Sequence, residues 1–170
     1  MRGKKGDKHL DPADPARRRA NKRRGRGTYA TDRPPVLGTI GRESGQVRLR
    51  VVKDTTGPTL CDHVHRFTRQ DAHVYTDDYD SYNHLARPRS TVAHSRKEWA
   101  RDDDGDGVRE VHTNTTEGMW TGLRNFLRIF RGVHKRYLSG YVAIHEFRIN
   151  LKHVQVGFLS SLVRMHYLYS

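Results

Sequence analysis

A mixed α/β domain is what the sequence predicts, and three observations predict it. Two short β-like runs, Val36 to Ile40 and Val47 to Val52, flank a turn at Arg42-Glu43-Ser44-Gly45, which is a hairpin pattern. Apolar residues then recur at spacings of 3 and 4 over 57–71, the period of a helix with one buried face. The last third is mainly helical. Hairpin, helix, two further strands and paired helices together describe a mixed sheet with helices packed on it.

Taken in order, Val47, Leu49 and Val51 alternate with Arg48, Arg50 and Val52, as in a strand with one buried face. Leu60, Val64 and Phe67 form the apolar stripe of the first helix, Gly57 to Asp71. Val74-Tyr75-Thr76 reads as a short strand ending in Asp77-Asp78, and a helix is expected to begin over Tyr79 to Leu85. Ser90 to His94 reads as another strand, followed by a polar connection containing the acidic run 102–107. Met119, Leu123, Phe126 and Phe130 recur at 4, 3 and 4, and Tyr137 to Ile149 forms a second, more apolar helix after a connection over Gly132 to Lys135. No internal repeat is visible.

Composition narrows the partners. The chain has 170 residues, a formal net charge of +13 and a pI near 10.3. Residues 1–33 hold 12 Lys or Arg against 4 Asp, lack an apolar period, and read as a basic arm or linker that includes Lys22, Arg23 and Arg24. The core is expected over 34–153, with 154–170 as a C-terminal tail. Lys and Arg that neutralise phosphates release condensed counterions, so this balance favours DNA or RNA over a membrane surface. No window approaches 18 apolar residues and no h-region follows Met1, so neither a spanning helix nor a secretory signal is expected, and a cytoplasmic, nucleoid-associated location is. The single Cys61 cannot form an internal disulfide.

Two carboxylates stand out by placement. Asp77 closes a short strand, and Glu117 opens a helix 40 residues later. Carboxylates converging from a strand end and a helix start suit a two-metal site, where magnesium ions ~3.5–4 Å apart flank an in-line phosphoryl displacement. Positions 117, 121, 124, 128 and 131 fall on one helical stripe, so Arg124, Arg128 and Arg131 follow Glu117 and could grip phosphates. Blander explanations stand beside these. Asn114 and Glu117 have the spacing of a capping box, Asp77 or Asp78 could cap the helix expected at Tyr79, and an arginine stripe can be a solvated face.

The segments VYTDDYDSYNHL (74–85), HSRKEWARDDDGDGVREVHTNTTEGMW (94–120) and FRGVHKRYLSGYVAIHEFRIN (130–150) resemble the catalytic domain of ISXO2-like insertion-sequence transposases. The resemblance runs from about residue 20 to residue 153. Its most specific part is H-T-N-x-x-E-G-x-W at 112–120 together with T-D-x-x-x-x-Y at 76–82. It implies an RNase H-like fold and a DDE metal triad, using magnesium or manganese as two ions, that cuts and joins DNA at element ends and target. Asp77 then corresponds to the second acidic position and Glu117 to the third, with Asn114 as the alternative. Arg124 stands where the family usually has Lys, and Lys135 and Arg136 join the expected DNA contacts. The family's first aspartate sits on a D-E-x-Y strand ahead of a basic linker, and this chain opens with RGKKGDK. A missing first strand, with Asp7, Asp11 and Asp14 in no strand-like context, is therefore expected, as is inactivity alone. The resemblance also implies a possible homo-oligomer on paired DNA ends. The competing reading is a non-enzymatic basic fragment that binds nucleic acid.

Two other clusters are discounted. Residues 102–107 match the D-x-D-x-D-G opening of a calcium loop, but its twelfth position is Thr113 and not a bidentate Glu. His63 and His65, beside Cys61, point ~200° apart on a helix and cannot chelate together. His94 and His112 lie nearer the expected cleft.

Overall fold

A computed structural model of the chain describes residues 27–151. The hairpin is as expected: β1 (Val36–Ile40) pairs antiparallel with β2 (Val47–Val51), Val36 opposite Val51 and Ile40 opposite Val47. Its turn closes with Gly41 N donating to Gln46 O and Gly45 N to Gly41 O, and Gly45 takes φ of +64°, a conformation open to glycine without Cβ strain. Helix α1 (Gly57–Phe67) starts with a proline in its first turn. Its capping role falls to Asp54, whose Oδ1 accepts from Thr56 N, Thr56 Oγ1 and Thr59 Oγ1. The helix stops short of the expected Asp71 because Thr68 turns extended and its hydroxyl takes the Val64 carbonyl at 2.6 Å.

Strand β3 (Val74–Asp77) pairs in parallel with β4 (Arg89–Val92). Two expectations are corrected here. The segment after Asp77 is a 3-10 turn, Asp80–His84, too short for an α-helix, and the second strand ends at Val92 because His94–Arg96 form another 3-10 turn that Glu98 ties off by accepting from Ala93 N. A short hairpin of β5 (Ala100–Arg101) and β6 (Val111–His112), which the sequence did not reveal, brackets the acidic loop. Helix α2 runs Asn114–Arg128 and α3 runs Lys135–Asn150. The expected single mixed sheet is instead three two-stranded sheets.

The core explains the sequence pattern. Val47 and Leu49 from β2, Met119 and Leu123 from α2 and Val142 from α3 form one buried cluster; Leu37, Val52 and Leu60 form a second, flanked by Tyr79 and Tyr82. Gly38 sits where β1 packs against α2. A Cβ there would lie 2.6 Å from Met119 Cε and 2.9 Å from Leu49 Cδ2.

The strand edges are treated unequally. Val52 N donates to Pro35 O, which puts residues 35, 37 and 39 in the hydrogen-bonded pairs of the hairpin, so on β2 it is Val47 and Leu49 that face outward. Asn150 on α3 seals that outer edge, Nδ2 donating to Val47 O and Oδ1 accepting from Val47 N, both at 2.8 Å, while Glu146 accepts from Leu49 N. The outer edge of β4 is closed in the same manner: Arg101 donates to Thr91 O at 3.0 Å and Glu98 accepts from Ala93 N at 2.8 Å. By the same parity, Val36, Gly38 and Ile40 on β1, and Tyr75 and Asp77 on β3, turn their backbone groups to the inner edges.

Buried histidine adds a pH signature. His63 on α1 is 2% exposed, and neither ring nitrogen has a hydrogen-bond partner among the described residues. Burial, helped by the Arg50 charge, pulls it down to about 4. The folded protein thus keeps His63 neutral while the unfolded chain takes a proton near 6.5. Its contribution is complete above pH 6.5 and is lost as pH falls toward 4, by up to about 3 kcal/mol. His145, lowered by burial and then by Arg148, acts in the same direction. Urea unfolding from pH 7 to 4 should show this loss, and His63→Leu should flatten it; an unchanged slope would remove His63 from the account.

Candidate active site

Between the inner edges of β1 and β3 lies a cleft of about 1190 Å³. Leu37 to Ile40 line one side and Val74 to Asp77 the other; α1 contributes Leu60 and His63, and the start of α2 contributes Thr113, Glu117 and Trp120. Arg42 spans the two sides. Its guanidinium stacks on the Tyr75 ring, 3.4 Å from the centroid, and donates to the carbonyl oxygens of Glu110 and His112.

Asp77 and Glu117 both line this cleft. Both are exposed, and the local roles that could have explained them are not made. Asp77 does not cap a helix: the 3-10 turn begins after Tyr79 with no side-chain cap. The capping box around Asn114 is absent too. Asn114 is already the first residue of α2, Thr113 holds the cap position, and no side chain caps it. Glu117 has an imidazole neighbour instead, with His94 Nε2 at 3.8 Å from its Oε1. Asn114 is exposed and does not line the cleft. Beside Asp77, Tyr82 is pushed up to about 12, first by burial and then by the Asp77 charge, so its hydroxyl stays protonated at neutral pH.

The arginine stripe is partly as expected. Glu117, Thr121, Arg124 and Arg128 are all exposed along α2, and Met119 and Leu123 are buried opposite them. Arg131 leaves the stripe, because α2 ends at Arg128 and Arg131 adopts a left-handed φ of +54° in the following turn. Phe130 is likewise past the helix, 38% exposed, edge-on to Phe126 and Tyr141. Lys135 is engaged within the fold, its Nζ 2.7 Å from Asp32 Oδ1 and donating to Tyr29 O. Arg136 is exposed at the start of α3, and its backbone N–H donates to His134 Nδ1. Lys22, Arg23 and Arg24 lie outside the described residues.

A second acidic group sits away from the cleft. Oxygens of Asp102, Asp104 and Asp106 lie within 4.8 Å of one another. Asp102 accepts from Gly105 N and Gly107 N, which hold its carboxyl below the ordinary range, and the others accept from Asp106 N and Val108 N. These carboxylates shape a turn with positive-φ glycines at 105 and 107. The pair at the cleft is different, since among the described residues its oxygens accept from no backbone amide. Carboxylate oxygens are hard donors of the kind that magnesium or manganese takes, so these two side chains are chemically suited to a divalent ion. Sequence reasoning missed Ser95, Thr113 and Arg42, whose roles depend on contacts between segments far apart in the chain.

Fold and cleft define a class: a small mixed α/β domain with two acidic side chains lining one cleft and arginines exposed along one helix face. The chain belongs to the ISXO2-like transposase domain family, which it matches over residues 5–150. It is also similar to an uncharacterized protein in transposable element ISH50 of Halobacterium salinarum, 31% identical over 149 residues. That alignment covers 85% of this chain and 48% of the relative, so the chain spans about half the relative's length. Among the described residues no helix is long and apolar enough to cross a membrane.

Proposed function

We propose that this domain belongs to the catalytic core of an insertion-sequence transposase, in which Asp77 and Glu117 hold divalent metal for DNA strand cleavage and transfer. The observation that carries the reading is their shared cleft: two carboxylates, 40 residues apart in sequence, line it from a strand end and a helix start, and neither serves as a helix cap. In this reading β1–β2 and β3–β4 are two halves of one RNase H-like sheet. A further strand, bearing the remaining carboxylate of the triad, seats between their inner edges. The unequal edges support it, because side chains seal the outer ones while the inner ones border the cleft.

Asp77 and Glu117 would hold the metal, which when bound would activate an oxygen nucleophile and stabilise the leaving oxygen. The chain's own residues orient the substrate. Arg124 and Arg128, exposed on the Glu117 face of α2, hold strand phosphates beside the carboxylates, and Tyr82 stays neutral beside Asp77. Substrate DNA is drawn by the +13 charge.

A labelled duplex carrying an element end tests this, with residues 1–170 and with the longest in-frame product of the gene. The expected result is that the longest product nicks, needing magnesium or manganese and stopping with chelator, while residues 1–170 bind the duplex; the longest product binding DNA without nicking under any metal would overturn the reading. Arg124→Ala and Arg128→Ala should each lower the salt slope of DNA binding by about 1 and weaken binding uniformly across sequences. An unchanged slope would place the DNA elsewhere.

One observation favours a second reading. Asp77 and Glu117 belong to no three-ligand group among the described residues, as expected of a domain that binds DNA without cutting it. Such a domain would bind DNA equally well with Asp77→Ala and Glu117→Ala, and it would nick under no condition.

A further inference from the structure

The 3-10 turn between β4 and the β5–β6 hairpin touches both carboxylate-bearing segments. Its adjacent residues His94 and Ser95 reach different elements. Ser95 Oγ donates to Asp78 Oδ2 at 2.9 Å, one residue from Asp77. His94 Nε2 shares a hydrogen bond with Thr113 Oγ1 at 3.0 Å and lies 3.8 Å from Glu117 Oε1.

Thr113 occupies the cap position of α2, where a threonine hydroxyl ordinarily accepts from an N–H of the first turn. Here no such bond forms, and the hydroxyl meets His94 instead. The helix start thus gives up its cap for a contact across the cleft wall. From Thr113 the linkage reaches Glu117 directly, because Glu117 N donates to Thr113 O at 3.1 Å.

The turn itself is well braced. Glu98 accepts from Ala93 N and pairs with Arg101 at 2.8 Å, Lys97 closes it at φ of +61° with its N–H on His94 O, and the His94 ring rests against Trp99 at 5.1 Å. His94 Nδ1 is buried with no partner among the described residues, so the bond at Nε2 and the Trp99 contact orient the ring.

We propose that His94 and Ser95 are positioning residues that set Glu117 and Asp77 relative to one another. The proposal rests on the reading of that pair as metal-holding carboxylates. Groups that orient metal ligands from behind typically change metal affinity by about 10–100-fold when removed.

Residues 1–170 labelled with nitrogen-15 and titrated with Mn2+ provide the test. The wild-type chain should show paramagnetic broadening of amides at 76–78 and at 114–118. His94→Ala should weaken the apparent Mn2+ affinity at 114–118 by about tenfold or more with its thermal midpoint retained. His94→Gln, which keeps an N–H near the Nε2 position, should recover most of it. Should His94→Ala fail to fold, Thr113→Val removes only the hydroxyl that His94 contacts and should give the same loss; unchanged Mn2+ affinity in either folded variant overturns the proposal. A folded wild-type chain with no broadening at either segment overturns the underlying metal reading, and this proposal with it.

Discussion

Glu117→Gln should slow metal-dependent nicking of element-end DNA by about a thousandfold or more, since a metal ligand at a two-ion site supplies several kcal/mol of transition-state stabilisation. The substitution keeps size and removes charge. Glu117 is exposed and makes no cap, so the thermal midpoint should stay close to wild type, within about 0.5 kcal/mol of stability. DNA binding should persist, because the phosphate contacts assigned to Arg124 and Arg128 are untouched. Asp77→Asn should behave alike, and the double variant should be little worse than either single one, as residues that act as a unit are non-additive. Measurement is by single-turnover nicking with the longest in-frame product; a Glu117→Gln protein that nicks at the wild-type rate would contradict the assignment.

Asn150→Ala should give a large loss of stability at a position remote from the cleft. One side chain satisfies both Val47 N–H and Val47 O, and Val47 is fully buried. Its removal leaves two backbone groups without partners on the outer edge of β2, at a cost of about 2–4 kcal/mol. For a domain of this size that corresponds to a fall in Tm of roughly 8–15 °C. Asn150→Asp retains an acceptor for Val47 N–H but loses the donor, and should fall about halfway. Differential scanning calorimetry decides it: an Asn150→Ala Tm within about 2 °C of wild type would show that the edge is not held by this residue.

Legibility in the sequence followed the range of the interactions. The β1–β2 hairpin was readable because Val47, Leu49 and Val51 alternate locally with arginines and the turn carries Gly45. Helix α1 was readable from Leu60 and Val64, both buried, although its end was not, since a single threonine hydroxyl at position 68 ends it. Asp77 and Glu117 were legible as candidates, and their common cleft needed coordinates, because chain-distant elements build it. The reach of Arg131 was misjudged: continuing the 3.6-residue period past Arg128 ignores the left-handed turn at Arg131-Gly132. Lys135 was expected among the DNA contacts, and its ion pair with Asp32 could not be read from sequence because Asp32 lies about a hundred residues earlier in the chain. The clip formed by His94, Ser95 and Thr113 had no periodic signature at all.

Iron-directed cleavage of the polypeptide reads most directly whether Asp77 and Glu117 hold metal at one cleft. Fe2+ with ascorbate and peroxide generates hydroxyl radicals at the ion, which cut the nearest backbone. Cuts should cluster at both 74–78 and 114–118, be suppressed by excess magnesium and be lost in Glu117→Gln. Cuts confined to the 102–106 loop, or at one segment without the other, would contradict a metal held by the pair.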